Sequence, residues 1–167
     1  MITKGKVKTV FATDKEDEVI IQYEDRVTAG NGKKEAYIKG KGEVCCQIST
    51  LLFKMLQIRA VKTHYINMPT HKAMTCKKVD IIPIEVVVRN IATGSLCRRL
   101  GVEEGIKFKE PLFEFFLKDD DLGDPLITDN HITAFGWGTE EEIEKMKEIT
   151  FRINHLLCKL FEEVGLI

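Results

Sequence analysis

A chain of 167 residues, 44% apolar and 31% charged, has the composition of one ordinary soluble domain or of two small lobes. At this length roughly 70% of the unfolded surface can be buried, enough to support a core. With 25 basic and 26 acidic residues the net charge is -1, which gives no general electrostatic case for nucleic acid or a membrane surface.

No apolar run approaches the roughly 20 residues of a membrane span. The opening MITKGKVKTV lacks the apolar stretch of a secretion signal. Cys45, Cys46, Cys76, Cys97 and Cys158 are odd in number and form no C-x-x-C pair. Neither a zinc site nor a disulfide framework is expected, and a reducing cytoplasm suits them.

The first elements read as an N-terminal hairpin: KVKTVFAT and DEVIIQYED are strands, and TDKEDE is the turn between them. Lys4, Lys6 and Lys8 alternate around Gly5. On one strand they share a face, and three ammonium groups there call for an anion such as a nucleotide triphosphate. They equally suit a solvated face whose edge they guard against pairing. No G-x-x-x-x-G-K-[ST] sequence occurs, which excludes a Walker loop. TAGNGKKEAYIKGKGE, with Gly30, Gly32, Gly40 and Gly42, reads as an irregular loop.

EVCCQISTLLFKMLQ follows as a helix, with Val44, Ile48, Leu51, Leu52, Met55 and Leu56 expected on its buried face. VKTHYI and AMTCKKVDI read as strands joined around NMPTHK. The strongest strand signal is IIPIEVVVRN, whose run Val86-Val87-Val88 suits burial on both faces. Arg89 ends that run. A buried arginine is costly unless paired, and its planar fork suits a carboxylate or a phosphate. Ser95, after Gly94 and before LCRRL, is placed for a helix N-terminus, where an anion is favoured. Alternatively, Arg89 pairs with an internal acid such as Glu85 and Ser95 is a plain cap. Arg98 and Arg99 read as surface helix residues, and CRRLGVEEG as a helix stopped at Gly101.

KFKEPLFEFFLKDDDLGDPLITDN has a strand-like apolar centre and an acidic loop with Lys118, Asp119, Asp120, Asp121 and Asp124. Clustered carboxylates can hold magnesium, but adjacent ones usually diverge into solvent. His64, His71, His131 and His155 are scattered, with no H-x-x-x-H or H-E-x-x-H, and no G-x-S-x-G marks a serine hydrolase. A long last helix begins at Thr139, with Glu142 completing a capping box, and ends before Gly165. The closing GLI either begins a further strand or packs on that helix.

Taken in order and spacing, KGKVKTVF, TAGNGKK, KGKG, THYI, PIEVVVRNIATGSLCRRLG and PLFEFFLKDDDLGDPLI resemble the SAICAR synthetase family of purine biosynthesis. That resemblance implies an α+β fold of two lobes, with an N-terminal antiparallel sheet, akin to protein kinases and ATP-grasp enzymes. Residues 1–80 would form a nucleotide-binding lobe and residues 81–167 a substrate-binding lobe, with a cleft between them. The implied reaction is ATP- and Mg2+-driven joining of carboxyaminoimidazole ribonucleotide (CAIR) to L-aspartate. Lys6 and Lys8, beside Gly5, match nucleotide-phosphate residues, and the backbone at Val79 and Ile81 matches the adenine-side segment. Arg89, Ser95 and Lys118 match the CAIR pocket, and Asp124 a structural or substrate-adjacent position. No nucleic-acid or membrane partner is implied; a cytoplasmic homo-oligomer, a dimer or larger, is.

The family pattern continues past Ile167 with D-F-K-L-E-F-G and G-D-E-x-S-P-D segments that carry the metal ligands, and none of these occurs here. No metal ligand is therefore expected within the chain. If the molecule ends at Ile167, the expectation is a nucleotide-binding fragment with weak or no turnover. A kinase acting on another small molecule fits RNIATGSL poorly. An assay with CAIR, aspartate and MgATP on a mass-verified 167-residue chain checks this, and robust turnover contradicts it.

Overall fold

The computed structural model describes residues 1–29 and 34–166. It divides into two compact units, Met1–Ile81 and Ile82–Ile167.

In the first unit, β1 (Thr3–Lys4), β2 (Lys8–Ala12) and β3 (Glu18–Tyr23) form a meander. A short hairpin follows, β4 (Arg26–Ala29) with β5 (Lys34–Tyr37), then helix α1 (Lys41–Ile58), β6 (Tyr65–Thr70) and β7 (Ala73–Lys77). The main sheet has the order β1-β2-β3-β7-β6, with antiparallel ladders throughout. The expected strand pair and its polar turn are present. The stretch read as an irregular loop is instead largely the β4–β5 hairpin, paired Arg26 to Tyr37 and Ala29 to Lys34. Gly30 and Gly32 lie outside the described residues.

The three N-terminal lysines do not line one face. The chain turns at Gly5, whose N–H donates to the carbonyl of Lys8, so Lys4 and Lys8 stand on different strands. Lys4 opposes Thr9 and Thr3 opposes Val10. Cross-strand partners share a face, so Lys4 lies opposite to Lys8 and Val10. Alternation fails as a guide here because a turn breaks the strand that carried it.

Helix α1 packs on the face that carries Val19, Tyr23, Met74 and Cys76, with buried Cys46 at the contact. The expected buried face is wrong in large part. Val44, Ile48 and Leu51 are 55%, 52% and 65% exposed, whereas Gly42, Cys46, Thr50 and Leu56 are buried. Apolar residues cover most of the helix around one polar stripe, Glu43, Gln47, Thr50, Lys54 and Gln57, so periodicity alone does not choose among the apolar sides. Close approach at Gly42 helps to choose it: a Cβ there would lie 2.8 Å from the carbonyl oxygen of Tyr23. Gly40, the N-cap, has φ 84° and no side chain to cap with. Asp25 supplies the missing acceptor, its Oδ1 receiving the Gly42 N–H at 2.8 Å while Oδ2 meets Lys72 Nζ at 2.9 Å. The Lys72 hydrogen bond first, then the Gly42 and Gly40 N–H groups, hold the Asp25 carboxyl down at about 2.

In the second unit, β8 (Ile84–Ile91) leads to α2 (Ser95–Leu100), β9 (Lys107–Leu117) and β10 (Leu126–Ile127). Helices α3 (Asp129–Ala134) and α4 (Glu140–Glu163) complete it. The sheet order is β10-β9-β8, antiparallel. Ile84 and Phe115 on one face pack with Ile127, Ile132 and Ile143, and Val86 and Phe113 lie against that cluster. Asn90, on the same face, exchanges two amide hydrogen bonds with Asn154 of α4, at 2.8 and 3.1 Å. The other face carries Glu85, Val87 and Arg89. Strand β8 is thus packed on one face only, and Val86, Val87 and Val88 are half-buried rather than enclosed.

The α4 capping box between Thr139 and Glu142 and the stop at Gly165 (φ 71°) are present as read from the sequence. So is the α2 stop at Gly101. Helix α3 was not anticipated; its capping box uses Thr128 and the ring of His131, whose Nδ1 accepts the Thr128 N–H at 3.1 Å. Leu166 is exposed and its N–H closes onto Phe161 O at 2.9 Å.

Replacing Gly42 by Ala forces a methyl against a backbone oxygen that cannot rotate away. Urea unfolding is expected to show a loss of about 1–3 kcal/mol, as for overpacked sites. A second outcome concerns pH. The folded pKa of Asp25 is depressed, so its stabilisation is complete above the ordinary value of 3.8 and is lost as pH falls toward about 2. Asp25→Asn should flatten the stability profile in that window, measured by chemical denaturation at stepped pH.

Candidate functional site

Each unit holds a pocket, and the two differ in chemistry. In the first unit a pocket of about 400 Å³ is walled mainly by Val10, Val19, Ile21, Val79 and Ile81, with His64 and Lys78 on its margin. Val10 and Ile21 are register partners, so their side chains share the sheet face that also carries Lys8. Val79 and Ile81 are exposed and reach this pocket from the irregular segment after β7. That segment is tied to the sheet where the Lys78 N–H donates to Asp17 O at 2.7 Å.

Lys8 leans over the Tyr23 ring, its ammonium 4.6 Å from the centroid. Its charge is felt across this face. Burial first, and then Lys8, push the His64 imidazole below its usual value, which keeps it neutral at pH 7. Burial also raises the Cys46 thiol, and pushes the Cys76 thiol up to about 11, so neither is a nucleophile at neutral pH. Gly5 lies in the β1–β2 turn, anchored by Arg26, whose Nη2 donates to Gly5 O at 2.6 Å. A Cβ on Gly5 would meet Lys8 O at an ordinary 3.5 Å, so the fold itself does not demand glycine there. Lys6, beside it, is exposed.

In the second unit a pocket of about 370 Å³ opens on the face of β8 and β9 opposite to α4. Arg89, Ser95, Arg99, Phe116 and Asp124 are among its walls. Strand alternation explains the first of these: Arg89 follows Val87 and Glu85 on the pocket face, while Asn90 turns to α4. Glu114 opposes Val87, Phe116 opposes Glu85, and Leu112 opposes Arg89, so Glu114 and Phe116 share this face too. Arg89 Nε donates to Glu114 Oε2 at 2.7 Å, and Arg89 Nη2 to Ser95 Oγ at 3.2 Å. Arg99 Nη2 donates to Glu114 Oε1, and its guanidinium lies 5.4 Å from the centre of the Phe116 ring.

Burial pulls the Glu114 carboxyl upward, but the hydrogen bonds from Arg99 and Arg89 outweigh it and hold the group below its ordinary value. It therefore stays ionised at neutral pH. The internal acid for Arg89 is thus Glu114 and not Glu85. Ser95 is not a helix cap. Gly94 holds that position, α2 has only six residues, and the Ser95 hydroxyl accepts from Arg89.

Lys118 stands one residue past β9, exposed, outside the ring of side chains that wall the pocket. Asp124 does wall it, in the left-handed conformation at φ 49°, with Oδ1 accepting the Asp119 N–H at 3.0 Å. Asp119 Oδ1 in turn accepts from the N–H groups of Asp121 and Leu122. These carboxylates are committed to the loop's own backbone. Among the described residues no three His, Cys, Asp or Glu side chains converge to hold a metal ion, so the residues present do not fit a magnesium site. Nor, among them, is any helix long and apolar enough to cross a membrane.

Glu114, beneath the pocket's arginines, escaped the sequence reading, and Arg99, read there as a surface helix residue, lines the pocket. A signal existed for Glu114: it is the one charge inside PLFEFFL, as Arg89 is the one charge inside VVVRNI. Opposite charges lodged singly in two adjacent apolar strands call for each other. For Arg99 the signal is weaker, its i,i+4 spacing from Ser95.

A family model described as SAICAR synthetase matches residues 1–167. The chain is similar to the phosphoribosylaminoimidazole-succinocarboxamide synthase of Caldanaerobacter subterraneus subsp. tengcongensis. The two are 48% identical over 161 residues, 96% of this chain and 68% of the relative. Among solved structures, the Ehrlichia chaffeensis phosphoribosylaminoimidazole-succinocarboxamide synthase superposes with a TM-score of 0.95 at 43% identity, over 98% of this chain and 69% of that one. A SAICAR synthetase (Type-2) solved in complex with ADP superposes with a TM-score of 0.92 at 37% identity, over 96% of this chain and 68% of that one. These likenesses bear out the α+β fold expected from the sequence.

Proposed function

The chain belongs to the SAICAR synthetase family, and from that premise we propose that it serves the ATP-dependent joining of CAIR to L-aspartate, which yields SAICAR, ADP and phosphate. The observation that carries this is the contrast between the two pockets. One is apolar-walled, on the sheet face that carries Lys8; the other presents two guanidinium groups.

The first pocket suits a nucleotide. Its apolar walls match a planar base, and the backbone at Val79 and Ile81 would supply the hydrogen bonds along the adenine edge. Lys6 and Lys8, with the Gly5 turn, would meet the phosphates. The SAICAR synthetase solved with ADP supports a nucleotide in this family. The second pocket suits an anionic ribonucleotide. Arg89 offers a planar fork, and Ser95 a hydroxyl already oriented by that fork. Lys118 is assigned to the same substrate on the strength of the family pattern.

A carboxylate is a poor acyl donor because its oxygen leaves badly. Transfer of the γ-phosphoryl group of ATP to the CAIR carboxylate forms an acyl phosphate and releases ADP. The aspartate amine then attacks the acyl carbon, the C–O bond to phosphate breaks, and the amine gives up its proton. The protein's part is to align anionic partners and neutralise charge as it develops, and Lys6, Lys8 and Arg89 are the cations assigned to it. The residues present offer magnesium no ligand cluster, so the charge assignments rest on these side chains. We place the protein in the cytoplasm, in keeping with its free cysteines.

Arg89→Lys keeps the charge and loses the fork. Calorimetric titration should show CAIR binding weakened about tenfold or more, the scale of a lost charge-assisted hydrogen bond, with ADP binding unchanged. Equal loss of both ligands would make Arg89 a structural ion-pair residue and contradict its assignment to the substrate.

A further inference from the structure

We propose that Glu114 is a positioning residue that sets Arg89 and Arg99 as a two-guanidinium clamp, and that Arg99 is a second binding residue for the anionic group that Arg89 receives. This rests on reading the second pocket as the CAIR site.

The first ground is the division of one carboxylate between two arginines. Glu114 gives Oε2 to Arg89 and Oε1 to Arg99, and it is only 8% exposed. A carboxylate in that position is costly without partners, and one guanidinium would suffice to neutralise it. Two leave the Arg89–Glu114–Arg99 set itself with one net positive charge, beside the separate acids Glu85 and Asp124. Arg89 is bonded to the carboxylate through Nε, at the root of its fork, and touches Ser95 with Nη2. The carboxylate therefore fixes the plane of the guanidinium.

The second ground is the restraint on Arg99. An arginine on the solvent face of a short helix normally keeps its rotamer freedom. The Arg99 side chain is only 29% exposed, held between the Phe116 ring and Glu114. Ser95 and Arg99 are four apart on α2 and so project from one side of it, toward the same pocket. Ordering a long side chain costs entropy, which a preorganised guanidinium does not lose again when an anion arrives. Glu85 and Asp124, the other acids on this wall, pair with neither arginine; Asp124 accepts the Asp119 N–H instead. Net attraction for an anion therefore depends on both guanidinium groups.

The test titrates CAIR and ADP separately into the full chain and into Arg99→Met, Arg99→Lys, Glu114→Gln and Glu114→Asp. Arg99→Met is expected to weaken CAIR binding about tenfold or more, the scale of a lost hydrogen bond to a charged group, with ADP affinity unchanged and the thermal midpoint lowered, because Glu114 loses one partner. Arg99→Lys should restore part of the loss. Glu114→Gln should weaken CAIR similarly through both arginines, and Glu114→Asp should recover part of it. If Glu114→Gln does not fold, the Arg99 pair decides. Inorganic phosphate should compete with CAIR on the wild type and compete poorly on Arg99→Met. Wild-type CAIR affinity in Arg99→Met overturns the inference and leaves the pocket assignment standing. Loss of ADP binding in parallel with CAIR binding overturns it in favour of a structural role. Failure of the wild type to bind CAIR at all sinks the pocket assignment and this inference with it.

Discussion

A carboxylate buried on a sheet face and shared by two guanidinium groups organises the second unit. Glu114 sits where β9 faces β8, and its charge is tolerable only because Arg89 and Arg99 reach it from a neighbouring strand and a neighbouring helix. The pairing joins three elements beside the small apolar cluster in which Leu96 and Cys97 of α2 pack against Leu112 of β9. It sets the plane of Arg89, brings α2 against the sheet, and leaves Ser95 within reach of the same fork. Removing one partner of such a set does more harm than never having had it.

The first unit solves a different problem with similar means. Its helix begins at a glycine that cannot cap it, and passes so close to Tyr23 that another glycine is required. Asp25, from the turn after β3, reaches across to take the orphan N–H. One carboxylate again ties together separate elements, here by capping a helix start and holding Lys72. Glu114 is sealed in, whereas Asp25 is the more exposed of the two.

Much of this was legible in the sequence. The β2–β3 hairpin followed from alternating residues around a polar turn, and the α4 start from a capping box, because both signals are local. Arg89 drew attention as a charge ending an apolar run. What was not legible depended on contacts between distant residues. The buried side of α1 could not be chosen among the apolar sides that its one polar stripe leaves; contact at Gly42 and Cys46 chose it. The lysine row dissolved because a turn at Gly5 reversed the strand. The partner of Arg89 lay 25 residues away on another strand, whereas Glu85 was merely nearer in sequence. Among the described residues no three His, Cys, Asp or Glu side chains converge to hold a metal ion.

The alternation of β8 has an evolutionary side. Arg89 and Asn90 are neighbours in the chain but answer to different requirements: one faces the pocket, the other locks amide to amide with Asn154. Odd positions of this strand can drift toward a new ligand without disturbing the helix behind it. Even positions can be repacked without touching what binds in front. Eight residues thus carry two separable inheritances, and a lineage could retune recognition while its architecture stood still.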